Sequence, residues 1–343
     1  SGLRAVKLKV TDANGEWTTK TSSIRVFMDS DVTLEVRENV AIEKALLYLY
    51  QHSTPDGATN GLKWLPENTS ANYITATTGF AALAFMETGH LPGNDHQEDV
   101  YAEVVQKGLN YLLANPNAGL MDIPAHSDGI AVRDCDTAGG QAPGKGAYLY
   151  PHTYANGLAL LAVLTAYPDE ATAKARMISG GPFNGWSYYD VIVEAVDLIK
   201  WYQGDGSFRG SWAYGITQNA TRFDGSTQQW PTMVLKAAED RWGIISPQWV
   251  KDNAVNTMEN HLRSASGGIG YSTGSSGVGV GKTGGGLVTY LLAGKPMDDP
   301  LITSALSYVG ANWHSPTPRN QGGPGWVSNL YGTFAVKKGL DLA

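Results

Sequence analysis

One stretch constrains the fold more than any other: Tyr202-Gln203-Gly204-Asp205-Gly206-Ser207-Phe208-Arg209-Gly210-Ser211-Trp212-Ala213-Tyr214-Gly215. An apolar helical run, Val191 to Trp201, leads into it, and another helical segment begins near Gly225. Gly-Asp-Gly cannot continue a helix. Phe208, Trp212 and Tyr214 are too many aromatics for a solvated loop, so they are expected to plug a gap between packed helices. Related turns recur at Gly185-Trp186-Ser187-Tyr188, Gly267-Gly268-Ile269-Gly270-Tyr271 and Gly322-Gly323-Pro324-Gly325-Trp326. A turn type that returns between helical runs is the mark of an internal repeat.

The helix starts repeat as well. Thr78-Gly79-Phe80-Ala81 aligns with Asn156-Gly157-Leu158-Ala159, Trp230-Pro231-Thr232-Met233, Gly285-Gly286-Leu287-Val288 and Tyr331-Gly332-Thr333-Phe334. A glycine or proline second in each frame fits a helix whose first turn comes close to a neighbour and then runs apolar into the core. Helical periodicity predicts helices over 36–51, 72–88, 97–114, 152–166, 187–203, 226–242, 247–263, 283–294, 300–313 and 328–341. In the first of these, Val40, Ala41, Ala45, Leu46, Tyr48 and Leu49 share one broad apolar face.

Before residue 32 the pattern differs. Residues 3–10 alternate, Asn14-Gly15 marks a turn, and Thr18 to Phe27 reads as a second strand. The expected organisation is a β-hairpin over 1–31 and a helical domain over 32–343. The abrupt start at Ser1-Gly2-Leu3 reads as the middle of a longer chain.

Charged residues make up only 17% of the chain, against about 25% in a typical soluble domain. Glycine and aromatics take their place, as in loop-rich extracellular proteins, so an extracellular or cell-surface location is expected. A net charge of −7 argues against a nucleic-acid partner, which would need a basic stripe. No apolar run approaches the ~18 residues that a membrane span needs. Cys135 is the single cysteine and excludes an intrachain disulfide.

Together, the turns and helix starts resemble the prenyltransferase and squalene-cyclase repeat superfamily. Gln203-Gly204-Asp205-Gly206-Ser207-Phe208 with Gly210-Ser211-Trp212 is similar to the Gln…Gly…Trp turn of squalene–hopene cyclases. The resemblance implies a mainly α fold, an α/α toroid of concentric inner and outer helices in five to six pairs, with a short N-terminal β-hairpin. That hairpin resembles the last one of a PKD or immunoglobulin-like domain.

The family's chemistry does not carry over. Its cyclases use Asp-x-Asp-Asp-Thr-Ala, and the nearest stretch, Asp134-Cys135-Asp136-Thr137-Ala138, puts Cys135 at the proton donor. Asp134 and Cys135 are adjacent, which breaks the Asp-x-Cys spacing of the zinc-binding prenyltransferase subunits. The Gly-Cys-Gly-Glu-Gln of thioester domains is absent. Gly281-Lys282-Thr283 nearly completes a nucleotide loop, but the first required glycine is Ser276 and no parallel strand precedes it.

Two constellations remain. The 115–151 loop carries Asp122, His126, Asp128, Asp134, Cys135 and Asp136. The ionisable residues Asp122, His126, Asp128, Asp134 and Asp136 are candidate ligands for a divalent cation, calcium or zinc, although no cofactor is required. Against this stands the reading that the carboxylates cap turns and that Cys135 is an inert thiol. An aromatic rim of Trp64, Tyr73, Tyr150, His152, Tyr154 and Trp230 suits stacking on sugar rings. Asp128, Asp134 or Asp136, with Glu67 or Asp224, could then supply an acid–base pair.

The favoured expectation is a non-catalytic module of a large secreted or surface protein, for adhesion, assembly or ligand binding. Its partner would be a glycan or a neighbouring surface protein. The alternatives are an extracellular glycoside hydrolase or polysaccharide lyase and, more distantly, a terpenoid cyclase-like enzyme.

Overall fold

The computed structural model describes residues 2–11, 17–26, 32–66, 73–127, 131–136, 140–218, 220–315 and 330–341. Asn14-Gly15, Glu67, Asp128 and the 322–328 turn lie outside them. The chain divides into two compact units, Ser1–His52 and Ser53–Ala343.

In the first unit, β1 (Gly2–Thr11) and β2 (Trp17–Val26) pair antiparallel, with Gly2 opposite Val26 and Thr11 opposite Trp17. Helix α1 (Leu34–Gln51) follows, and the Thr33 side chain caps it by accepting the Val36 N–H at 3.3 Å. The broad apolar face expected of α1 is largely exposed: Leu46 is buried, Leu49 is half-buried, and Val40, Ala41, Ala45 and Tyr48 face solvent. The division also assigns α1 to the hairpin unit, where periodicity alone began the helical domain at residue 32.

The second unit is mainly helical. It opens with the hairpin β3 (Ser53–Asp56) and β4 (Gly61–Trp64), followed by α2 (Ile74–Glu87) and α3 (Val100–Ala114). The 115–151 loop is more ordered than its sequence predicts. β5 (Gly119–Asp122) pairs with β8 (Lys145–Tyr148), and β6 (His126–Ser127) pairs with β7 (Val132–Arg133). Next come α4 (Thr153–Thr165), a short α5 (Glu170–Ala175) that periodicity misses, α6 (Tyr188–Trp201) and α7 (Gly225–Trp242). α8 (Gln248–Thr257) continues as one π-helical turn to Leu262, and α9 (Val280–Leu292), α10 (Pro300–Asn312) and α11 (Leu330–Asp341) complete the unit.

Five helices pack in series: α2 on α4, α4 on α7, α7 on α9, and α9 on α11. α11 meets α2 again through the rings of Phe80 and Phe334, 5.1 Å apart, and through Lys337 and Lys338, which both pair with Glu87. The remaining long helices of this unit lie against the series: α3 on α2, α6 on α4 and α7, and both α8 and α10 on α9.

Small residues permit the close approach, as the helix-start frame predicts. A methyl group on Gly79 would come within 2.9 Å of the Leu158 carbonyl oxygen, and one on Gly157 within 2.6 Å of Trp230 Cβ. In α9 the corresponding contact to α7 belongs to Gly285, at 2.4 Å from Gln229 Cβ, rather than to Gly286. A clash of that size forces the helices apart, so larger side chains are excluded there.

A second repeat, invisible in the alignment of helix starts, holds the turns. The Trp64 N–H donates to Thr78 Oγ1 at 3.1 Å, and Leu149 N–H to Asn156 Oδ1 at 2.8 Å. Trp212 N–H donates to Gln228 Oε1 at 3.2 Å, and Ile269 N–H to Thr283 Oγ1 at 3.0 Å. In each case a buried apolar residue ending a turn is tied to a buried polar side chain in the following helix. Leaving such a buried N–H unpaired would cost about 1–3 kcal/mol, so each hook fixes where its turn sits on the helix.

The Tyr202–Gly215 stretch is one of these clamps. Gln203 is fully buried and donates to the Val250 carbonyl at 3.0 Å, while Trp212 is fully buried with Nε1 on the Ile199 carbonyl at 3.0 Å. Gly210 adopts φ +88° against the backbone of Asn253, a place where a side chain would suffer both strain and clash. The turn therefore ties α6, α7 and α8 together.

Candidate functional site

Aromatic side chains converge from four helices of the series. Phe80 of α2 meets Trp230 of α7 edge-on at 6.4 Å, Trp230 stacks near Phe334 of α11 at 6.2 Å, and Tyr154 of α4 lies 5.5 Å from Trp230. Trp230 is fully buried, whereas Phe80, Tyr154 and Phe334 are half-buried. From Tyr154 the chain of rings continues outward. Tyr214 stacks on it at 5.6 Å with an interplanar angle of 8°, and His152 lies 5.6 Å from Tyr214. The Tyr214 and Tyr271 hydroxyls are 2.8 Å apart.

Two cations border this face. The Arg222 guanidinium sits over both the Tyr214 ring (5.0 Å) and the Tyr271 ring (5.6 Å) and pairs with the buried Asp224 at 3.0 Å. Lys282, in the first turn of α9, is half-buried and makes no ion pair or hydrogen bond among the described residues. Burial pulls its pKa below the ordinary lysine range, with the Asp224 charge acting in the opposite direction. Burial likewise lowers the pKa of His152 and favours the neutral ring.

Of the residues proposed for the rim, His152, Tyr154 and Trp230 belong to this face. Trp64 does not: it is buried as the plug of the first hook, 6.3 Å from Phe85. Tyr73 is exposed at the start of α2, and Tyr150 is half-buried two residues past β8. Tyr214, Tyr271, Arg222 and Lys282 were not singled out as rim residues. The adjacency of Tyr214 to the Trp212 clamp was the available signal for the first. For Lys282 it was the near-match to a nucleotide loop, whose lysine instead falls inside α9.

The loop acids separate into different roles. Asp122 is exposed and pairs with Lys145 at 2.5 Å across the β5–β8 pair. Asp134 shapes a turn by accepting the Asp136 N–H at 3.0 Å. His126 is fully buried, stacked on Trp249 at 5.4 Å. It accepts from the Gln218 amide at Nδ1 (2.8 Å) and faces Asp205 with Nε2 (3.1 Å), so both ring nitrogens are engaged. Asp205 thus binds the loop to the clamp turn rather than acting as an acid in a cleft. Asp224, considered for an acid–base pair, caps α7 by accepting the Ser226 N–H at 2.9 Å and is nearly fully buried.

Among the described loop candidates, Asp136 alone joins a cluster. Its carboxylate and those of Glu194 and Asp197, both wholly buried on α6, place one oxygen each within 4.8 Å of one another. Lys200 Nζ lies 2.5 Å from Asp197. Burial pushes the Glu194 carboxyl up to about 7. Burial also pushes the nearby Cys135 thiol up to about 12, so the free thiol stays protonated. Glu194 and Asp197 were missed by sequence reading. Their signal was two acids three residues apart inside the otherwise apolar run Val191-Ile192-Val193-Glu194-Ala195-Val196-Asp197-Leu198-Ile199.

Among the described residues, no helix is long and apolar enough to cross a membrane. No model of a known protein family matches the chain, and no curated protein matches it either.

Proposed function

We propose that the second unit is an α/α toroid serving as a non-catalytic ligand-binding module of a secreted or cell-surface protein, with a glycan as the ligand of its aromatic face. In this reading α2, α4, α7, α9 and α11 are the inner helices and α3, α6, α8 and α10 the outer ones. The serial packing, the return of α11 to α2 and the four hooks support it.

The observation that carries the function is the pairing of half-buried stacked tyrosines with a cation that makes no ion pair among the described residues. The half-buried Tyr154 and Tyr214, with Tyr271 beside them, supply the aromatic surface for sugar rings. Lys282 is held half-buried without a partner, an arrangement that costs stability and favours a ligand bearing carboxylate or sulfate groups. The carboxylates near this face are committed elsewhere, Asp224 to a helix cap and to Arg222. That weighs against general acid–base cleavage of the glycan.

The test is binding of the purified chain to an array of neutral and acidic glycans, followed by an assay for released reducing ends or unsaturated products. Binding to acidic glycans without product is expected, weakened about tenfold or more in Tyr154→Ala, as loss of one stacking contact implies. Product formation would make the chain an enzyme. Absence of binding to every glycan would remove the proposal.

A further inference from the structure

The acidic cluster on α6 stands apart from the aromatic face and from every contact used to explain the fold. Three carboxylates, those of Asp136, Glu194 and Asp197, meet one ammonium, that of Lys200. The group gathers more acids than cations among the described residues, in a place largely screened from water. Buried charges of that kind are paired or coordinate metals.

An independent observation points inward. Glu194 is wholly buried, and its Oε2 has no hydrogen-bond partner among the described residues, although Oε1 accepts the Ala142 N–H at 2.7 Å. Asp136 shows the same asymmetry: Oδ2 accepts the Gly144 N–H at 3.0 Å, while the buried Oδ1 has no partner. Each residue is thus oriented by one oxygen and leaves the other unsatisfied. The loop is built closely around the cluster. A methyl group on Gly140 would come within 2.5 Å of Glu194 Oε1, and one on Gly146 within 2.6 Å of Leu198 Cβ.

We propose that Asp136, Glu194 and Asp197 form a binding site for a hard divalent cation, calcium foremost, that fastens the loop at Asp136 to α6. An all-oxygen, carboxylate-rich donor set selects calcium, magnesium or manganese over zinc. Oxygens within 4.8 Å of one another fit around a cation with metal–oxygen distances of roughly 2.3–2.6 Å. Asp136 supplies the loop side, and Glu194 and Asp197, three residues apart, supply adjacent positions on one helix face.

The experiment is isothermal titration of the metal-stripped full chain with calcium, magnesium or manganese chloride, paired with melting curves. One calcium per chain is expected, raising the melting temperature by several degrees at saturation. Asp136→Asn and Glu194→Gln should each weaken binding about a hundredfold or more, since affinity follows the charge of the ligand set. Asp122→Asn, on the same loop but outside the cluster, should bind like the parent.

Folding of the variants is read separately. Without metal, Glu194→Gln should melt at or above the parent because it removes a buried charge. With calcium the order should reverse. The proposal is overturned if none of the three cations binds at millimolar concentration. It is equally overturned if binding survives unchanged in both cluster variants, or if the melting order does not cross.

Discussion

The two ends of the five-helix series carry opposite surfaces on the same stripes of side chains. Near the helix starts, Phe80, Tyr154, Trp230 and Phe334 touch ring to ring. One or two turns further, Leu83, Leu161 and Met233 leave a cavity of about 330 Å³, edged by Glu87, Asp240, Arg241, Lys338 and Asp341. Phe80, Leu83 and Glu87 follow one another at helical spacing, as do Trp230, Met233, Ala237 and Asp240. Each stripe therefore passes from aromatic to aliphatic to charged.

The void is not the better site. Around the cavity, Glu87 pairs with Lys337 and Lys338, Lys236 with Asp240, and Lys337 with Asp341, while Arg241 is exposed to water. At the aromatic end Lys282 is left over. An unsatisfied group marks a place for a ligand better than empty volume does, because volume alone has no chemistry to recognise.

The sharpest way to break the contrast is Trp230→Ala. It should destabilise the chain by about 3–5 kcal/mol, measured by denaturant unfolding, because a fully buried ring shared by three others is removed. If the aromatic end were loosely packed, the loss would be far smaller. At the opposite end, Leu161→Phe adds bulk beside the cavity and should change stability by less than about 1.5 kcal/mol. A large loss there would mean that the void is needed.

Lys282→Met should raise the melting temperature modestly while weakening binding of acidic glycans, since it removes a poorly solvated charge. Lowered stability would show that the lysine is structurally compensated.

The smallest effect separates the ends by pH. Burial holds the His152 pKa below the ordinary histidine value of 6.5, so the folded chain resists a proton that the unfolded chain accepts. Its contribution is full above pH 6.5 and declines as pH falls below it. For Glu87, burial works to raise the pKa, but Lys338 and Lys337 prevail and leave it below the ordinary glutamate value of 4.5. Its contribution is full above about 4.5 and is lost on further acidification. In thermal melts across pH, His152→Gln should flatten the upper window and Glu87→Gln the lower one. Identical profiles for the two variants would erase the distinction.

Much of the helical framework was legible because apolar residues at helical spacing and Gly-rich turns are local signals. The Trp212 turn reads as a plug from its aromatics alone, and it is one. The hooks were not legible. Gln228 and Thr283 lie three residues before the positions that align on small residues, and only the meeting of turn and helix reveals their role. The same limit applies to the site. Asp136 stands out in the loop, but its partners Glu194 and Asp197 lie more than fifty residues away on a helix that reads as plain core.

By itself, then, the sequence determined the helices, the close approaches at Gly79 and Gly157, and the structural character of the Tyr202–Gly215 turn. Each follows from sterics and periodicity within a few residues. Tertiary structure decided which charges are answered and which are not. It buried Trp64 away from the aromatic face, closed Asp224 into a cap, left Lys282 alone, and turned a carboxylate of the loop toward two on α6. Neutralisation depends on distance through space, and residue order along the chain does not encode that distance.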